Sequence, residues 1–217
     1  MKNTLEIDSV QLSFGERTIL KSIYVTAETG KVTGILGRNG CGKSCLLKII
    51  FGEMKSQEKS VRINGKVLFE DSRNSADMRM LPQFNFLPKH IKVRQAFKHF
   101  DLDFSEFCNL FNEFDKWRDL KIRELSGGNI RIMETFLIIK SDAKFCILDE
   151  PFSHLSPKNI STFIHIIKQE KEKKGIILTD HLYRHITDIS DYLYVIANCA
   201  SYKIKGIDEL KKYGYLK

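Results

Sequence analysis

Residues 37–44, Gly-Arg-Asn-Gly-Cys-Gly-Lys-Ser, constrain this chain more than any other stretch. Just upstream, Val32, Thr33, Gly34, Ile35 and Leu36 form a short apolar run that reads as a buried strand. Just downstream, residues 43–51 carry the pattern of a helix. A glycine-rich loop between a strand and a helix is built to hold phosphate. Gly37, Gly40 and Gly42 let backbone N–H groups approach oxygen atoms with no Cβ in the way. The loop backbone at Arg38, Asn39 and Cys41 supplies further donors, and the helix N-terminus adds partial positive charge. Lys43 brings a full charge toward the β- and γ-phosphates, and Ser44 offers Mg²⁺ a hard oxygen. The expected ligand is a nucleoside triphosphate. A kinase, a GTPase, a helicase and a transport motor all fit the loop taken alone.

The 217 residues suit one domain over 1–217, with room for a small inserted lobe. No apolar run approaches the roughly 18 residues that a membrane span needs. The opening residues, MKNTLEIDSV, lack the apolar segment of a signal peptide. Five cysteines, at 41, 45, 108, 146 and 199, are odd in number, scattered and without a CxxC pair, which fits reduced thiols and a cytoplasmic setting. The helix-start position of Cys41 is expected to lower its thiol pKa. The net charge of +8 fits either an anionic partner or lysines spread over a solvated surface, and the second reading is preferred. The densest cluster, KQEKEKK at 168–174, is expected to end a helix over 157–174, where cations suit the negative dipole end.

Short β segments are expected within 4–36, and Asn64-Gly65 marks a hairpin over 61–69. Further strands are expected at 78–81, 145–148, 176–179 and 192–196. Phe104, Phe107, Phe111 and Phe114 recur at helical spacing, predicting a core-facing amphipathic helix. Another apolar helix is expected at 129–140. The implied fold class is α/β, a phosphate-loop core with a parallel sheet. The helical block at about 90–140 reads as a lobe inserted into it.

A second motif narrows the choice. Ser126, Gly127 and Gly128 open the helix at 129–140, giving another helix N-terminus with a hydroxyl and two glycines. About twenty residues later, Asp149 and Glu150 end an apolar strand, at the sheet edge where ligand chemistry gathers. In these residues the chain resembles the ATP-binding cassette (ABC) ATPases, with a Walker A loop at 37–44, a signature at 125–128 and a Walker B stretch at 145–150. The resemblance also implies an N-terminal antiparallel β subdomain, Phe14 as the aromatic that stacks on adenine, Gln83 between two lobes, and His181 as the switch histidine. The chain departs from the family pattern at Asn129, where Gln is usual, and at Cys45, where Thr is common. Residues 153–156 read Ser-His-Leu-Ser in place of Ser-Ala-Leu-Asp, so Ser156 stands where a carboxylate is usual.

The resemblance implies roles. Glu150 is the general base or orienter of the attacking water, His181 contacts the γ-phosphate, and Gln83 senses nucleotide. Ser44, Gln83 and Asp149 serve Mg²⁺, while ATP lies on Phe14, the 37–44 loop and a signature supplied by another cassette. His181 and His185 share the i,i+4 spacing of a metal pair, but no acidic partner completes it. The reading is therefore an ATP-hydrolysing subunit of an ABC transporter that works as a head-to-tail pair, most simply a homodimer. It would sit on the cytoplasmic face of the membrane against separate membrane-spanning subunits, with no nucleic acid as partner. Phe84, Phe86 and Leu87, ringed by Lys89, Lys92 and Arg94, are the expected docking anchors. A soluble ABC ATPase acting on nucleic acid or ribosomes, and a weakly hydrolysing regulatory cassette, are the alternatives.

Overall fold

A computed structural model describes residues 2–68 and 76–215. Among these described residues ten strands form one sheet: β1 (Thr4–Phe14), β2 (Arg17–Glu28), β3 (Val32–Gly37), β4 (Glu58–Ile63), β5 (Lys66–Val67), β6 (Met78–Leu81), β7 (Phe145–Asp149), β8 (Gly175–Thr179), β9 (Tyr192–Ala197) and β10 (Ala200–Ile204). Their spatial order is β5-β4-β1-β2-β10-β9-β3-β8-β7-β6. The strands from β9 to β6 pair in parallel, whereas β1, β2, β4 and β5 pair antiparallel. The expected hairpin turns at Asn64-Gly65, with Asn64 at φ 51° and Gly65 at φ 77°. The last residue of its second arm, Phe69, lies outside the described residues.

The central parallel strands β3, β7 and β8 are buried throughout, because helices or strands cover both faces. Side-chain alternation sorts their apolar residues between two cores. Ile35, Ile147 and Ile177 face α1 (Lys43–Phe51) and the antiparallel strands. Leu36, Cys146, Leu148, Ile176 and Leu178 face the core shared with α4 (Gly127–Lys140), α5 (Pro157–Glu170) and α6 (Tyr183–Ile189). The same core holds the aromatic residues of α2 (Val93–His99) and α3 (Phe104–Leu110). A short α7 (Glu209–Lys212) follows β10. Among the described residues no helix is long and apolar enough to cross a membrane.

The phenylalanine stripe differs from its expected single helix. Helix α3 ends at Leu110, Phe111 adopts φ −131° and ψ 70°, and a 3₁₀ turn, Asn112–Trp117, follows. The rings still meet, with Phe107 lying 5.0 Å from Phe111 and 4.7 Å from Phe114. Phe111 also reaches Phe163 of α5 at 5.4 Å. Aromatic burial thus outweighs the helical hydrogen bonds that the break gives up.

The basic cluster at 168–174 differs as well. Helix α5 stops at Glu170 rather than running to 174. Lys174 is 4% exposed and donates to the carbonyls of Ile139 and Ser141, so it serves the C-terminal end of α4 instead of its own helix. Glu170, also 4% exposed, pairs with Lys140 at 3.1 Å and with Lys174 at 3.4 Å, and these cations hold its carboxyl below the usual range despite burial.

Candidate nucleotide site

Four adjacent parallel strands, β3, β8, β7 and β6, end on one edge of the sheet. The loops beyond them carry residues 37–44, His181, Glu150 and Gln83, respectively. This edge is where parallel α/β sheets place ligands. A cleft of about 530 Å³ opens there, lined by Phe14, Asn39, Gly40, Gly42, Lys43, Ser44, Gln83, Glu150 and His181, together with Arg17, Ile19 and Cys45.

Gly42 caps α1 at φ 102° and provides no side-chain cap, so the first-turn N–H groups stay free for an anion. The Lys43 ammonium is buried and donates to the carbonyls of Gly37 at 2.7 Å and Arg38 at 3.3 Å. Ser44 donates its hydroxyl to Asp149 Oδ1 at 3.2 Å. Asp149 is fully buried, and its Oδ2 has no hydrogen-bond partner. Burial pushes the Asp149 carboxyl up, which the Ser44 bond counters and the neighbouring Glu150 charge reinforces.

Glu150 is held from both sides. Its Oε1 lies 2.7 Å from His181 Nε2. Its Oε2 accepts from Gln83 Nε2 and from the Ser153 hydroxyl, each at 3.2 Å. Glu150 itself has φ 52°, a left-handed conformation uncommon for a residue with a side chain. Asp180 fastens the neighbouring loops by accepting from the N–H groups of Phe152 at 2.9 Å and Leu182 at 3.0 Å. Burial raises its carboxyl, and those two backbone bonds oppose the rise.

The remaining expected residues fall in several places. Gly37 is buried at the end of β3, and Arg38 is exposed. Phe14 is 57% exposed at the cleft, open to a flat ring. The Cys41 side chain packs on the apolar core beneath the loop, with its sulfur beside Gly37. The expected lowering of its thiol pKa is corrected: burial pushes it up, with Lys43 and backbone N–H groups countering only in part. Desolvation of a thiolate here outweighs the partial charge of the helix end.

Ser126 caps α4, accepting from the N–H of Asn129 at 3.2 Å. Neither it nor Gly127 nor Gly128 lines the loop's own cleft. The two glycines instead border a separate groove of about 400 Å³ with Gln83, Phe84, Ser153 and His154. Ser156 caps α5, accepting from the N–H of Asn159 at 3.3 Å. His185 sets its ring 6.2 Å from that of Phe152.

Arg17, Ile19, Ser153, Asp180 and Arg131 escape a reading of the sequence. Arg131 alone leaves a local trace, a cation that shares a largely apolar helical run with Glu134. Of the three expected docking anchors, only Phe84 stands out, at 76% exposure. Leu87 belongs to the core, and Phe86 is half-buried with its ring 6.3 Å from Phe100. Lys92 and Arg94 are both engaged by Asp119, at 3.2 Å and 3.0 Å.

The sequence profile described as "ABC transporter" matches residues 20–153. The whole chain is 27% identical over 228 aligned residues to an uncharacterized ABC transporter ATP-binding protein of Methanocaldococcus jannaschii, covering 83% of that protein. It is 24% identical over 212 residues to the iron(3+)-hydroxamate import ATP-binding protein FhuC of Bacillus subtilis, spanning 89% of this chain and 79% of that protein. Among solved structures, an ATP-binding subunit of an ABC transporter superposes with a TM-score of 0.81 at 21% identity, over 97% of this chain and 93% of the other. A nucleotide-free ATP-binding cassette from an ABC transporter gives 0.75 at 20% identity, over 97% and 94%. These structural likenesses show the fold, an α/β P-loop cassette of the ABC ATPase type. The chain belongs to the ABC transporter family, among its ATP-binding proteins.

Proposed function

We propose that this chain is the ATP-hydrolysing subunit of an ABC transporter, working as a head-to-tail pair of cassettes on the cytoplasmic face of a membrane. One observation carries the reading. The Glu150 carboxylate is gripped by His181 on one oxygen and by Gln83 on the other, in the cleft that Lys43 and Ser44 also line. In this reading Glu150 takes the proton of an attacking water, and Gln83 and Ser153 aim its carboxylate. His181 donates toward the transferred phosphoryl group, and Lys43 leaves the loop carbonyls to balance the growing charge.

The donor set also suits Mg²⁺. The buried Asp149 oxygen without a partner, beside the Ser44 hydroxyl, offers the hard oxygens this ion takes. Ser44 and Asp149 would hold it, with Gln83 able to swing in from Glu150. When bound, the ion neutralises charge on the phosphate oxygens.

The head-to-tail pairing is supported by the signature's position. Ser126, Gly127 and Gly128 do not line the chain's own cleft, so they are free to close the cleft of a second cassette. Substituting Glu150→Gln tests both halves. Nucleotide binding should survive, while hydrolysis should fall by about 100-fold or more. The variant should then form a dimer on addition of ATP, read by light scattering. Hydrolysis at the wild-type rate would remove Glu150 from its role, and a persistent monomer would remove the pairing.

A further inference from the structure

Helix α4 is buried without interruption from Ile130 to Ile139, yet this span holds two ionisable groups, Arg131 at 3% exposure and Glu134 at 0%. Burying a charge costs several kcal/mol unless it is well bonded. The Arg131 guanidinium donates to three backbone carbonyls: Pro82 at 2.6 Å, Asp149 at 2.5 Å and Glu150 at 2.8 Å. Glu134 Oε1 accepts from the N–H groups of Phe86 at 2.7 Å and Leu87 at 2.9 Å. Their i,i+3 spacing puts both groups on one side of the helix. From that side α4 grips residues 82–87 at both ends, with Gln83 between the two grips.

The two carbonyls at Asp149 and Glu150 belong to the peptide units on either side of the Glu150 Cα. Holding both planes fixes the direction in which this side chain leaves the backbone. That direction is otherwise unfavourable, since φ is 52°. The same guanidinium holds the carbonyl just before Gln83. One side chain therefore sets the relation between the two residues whose side chains meet at 3.2 Å.

We infer that Arg131 and Glu134 are positioning residues for hydrolysis, setting the Gln83–Glu150 contact through the backbone groups of residues 82–87 and 149–150. The inference rests on the ATPase reading above. Apolar side chains would fill the same space but would abandon three carbonyls and two amides.

The test compares Arg131→Lys, Glu134→Gln and Glu134→Leu with wild type and Glu150→Gln, measuring nucleotide affinity, kcat and amide hydrogen exchange. A lysine retains the charge but not the planar fork. For Arg131→Lys, kcat should fall about 10- to 100-fold, while the nucleotide Kd stays within about twofold. Glu134→Gln keeps an acceptor oxygen and should retain more of kcat than Glu134→Leu. Exchange at the Phe86 and Leu87 amides should quicken in Glu134→Leu more than in Glu134→Gln. Wild-type kcat in Arg131→Lys, or a fall in kcat matched by an equal loss of affinity, would overturn the inference. If wild type does not hydrolyse ATP, or Glu150→Gln does so at full rate, the functional reading fails instead. Exchange across 82–87 then still decides the strut: faster in Arg131→Lys supports it, and unchanged rates sink it.

Discussion

Two residues of the phosphate loop show how neighbours decide what a side chain does. Lys43 spends its ammonium on the carbonyls of Gly37 and Arg38, which braces the loop around the space a phosphate would enter. Replacing it with alanine removes both the brace and the charge facing the phosphates. A charge-assisted hydrogen bond contributes about 1.5–3 kcal/mol, so Lys43→Ala should weaken triphosphate binding about 10- to 100-fold in a nucleotide titration. Unchanged affinity would count against the loop as a phosphate site. Cys41, two residues earlier, was legible as a loop member but not as a half-buried thiol. Whether its sulfur meets solvent or Gly37 depends on the turn of the loop, and burial then pushes the thiol up.

At the scale of elements, the strand-loop-helix unit of β3 and α1 was readable because its signals are local. Glycine spacing, a flanking apolar run and a helical period all sit within some twenty residues. The glycines nevertheless differ in what they protect. Gly40 has φ 77° with open space where a Cβ would stand. Gly42 has φ 102°, and an added Cβ would lie 2.8 Å from Ile19 and 2.9 Å from Leu20 of β2. Gly40→Ala should therefore lose about 1 kcal/mol from backbone strain alone, and Gly42→Ala about 2–4 kcal/mol because a clash is added. Denaturant midpoints measure the difference, and equal losses would mean that β2 does not press on the loop. The phenylalanine stripe was readable as core but not as a helix broken at Phe111, because the break answers to Phe163, some fifty residues away.

For the whole molecule, the segment 82–87 joins the cleft to the surface. Gln83 bonds Glu150, and the adjoining Phe84 is largely exposed. An exposed aromatic beside a groove suits a partner's apolar contact, and a membrane subunit of the transporter is the partner proposed. Phe84→Glu should abolish co-purification with that subunit and leave nucleotide affinity unchanged, since Phe84 does not line the nucleotide cleft. The reconstituted subunit should stimulate hydrolysis, and stimulation by DNA or RNA alone would favour the soluble alternative.

What the sequence determined by itself was the family resemblance, the strand and helix periods and the order of the motifs. These are written in contiguous residues, where spacing and side-chain type act over one or two turns of chain. The tertiary structure decided which motif residues share a cleft and which do not, as with Glu150 beside Gln83 and His181, and the signature apart from its own loop. It also decided the burial of Arg131, Glu134 and Lys174, three charges that look like surface residues until the backbone groups they bond are brought to them. Those partners lie 18 to 49 positions away along the chain. A charge is tolerated inside a core only where such distant carbonyls and amides converge on it, and that convergence exists only in the folded chain.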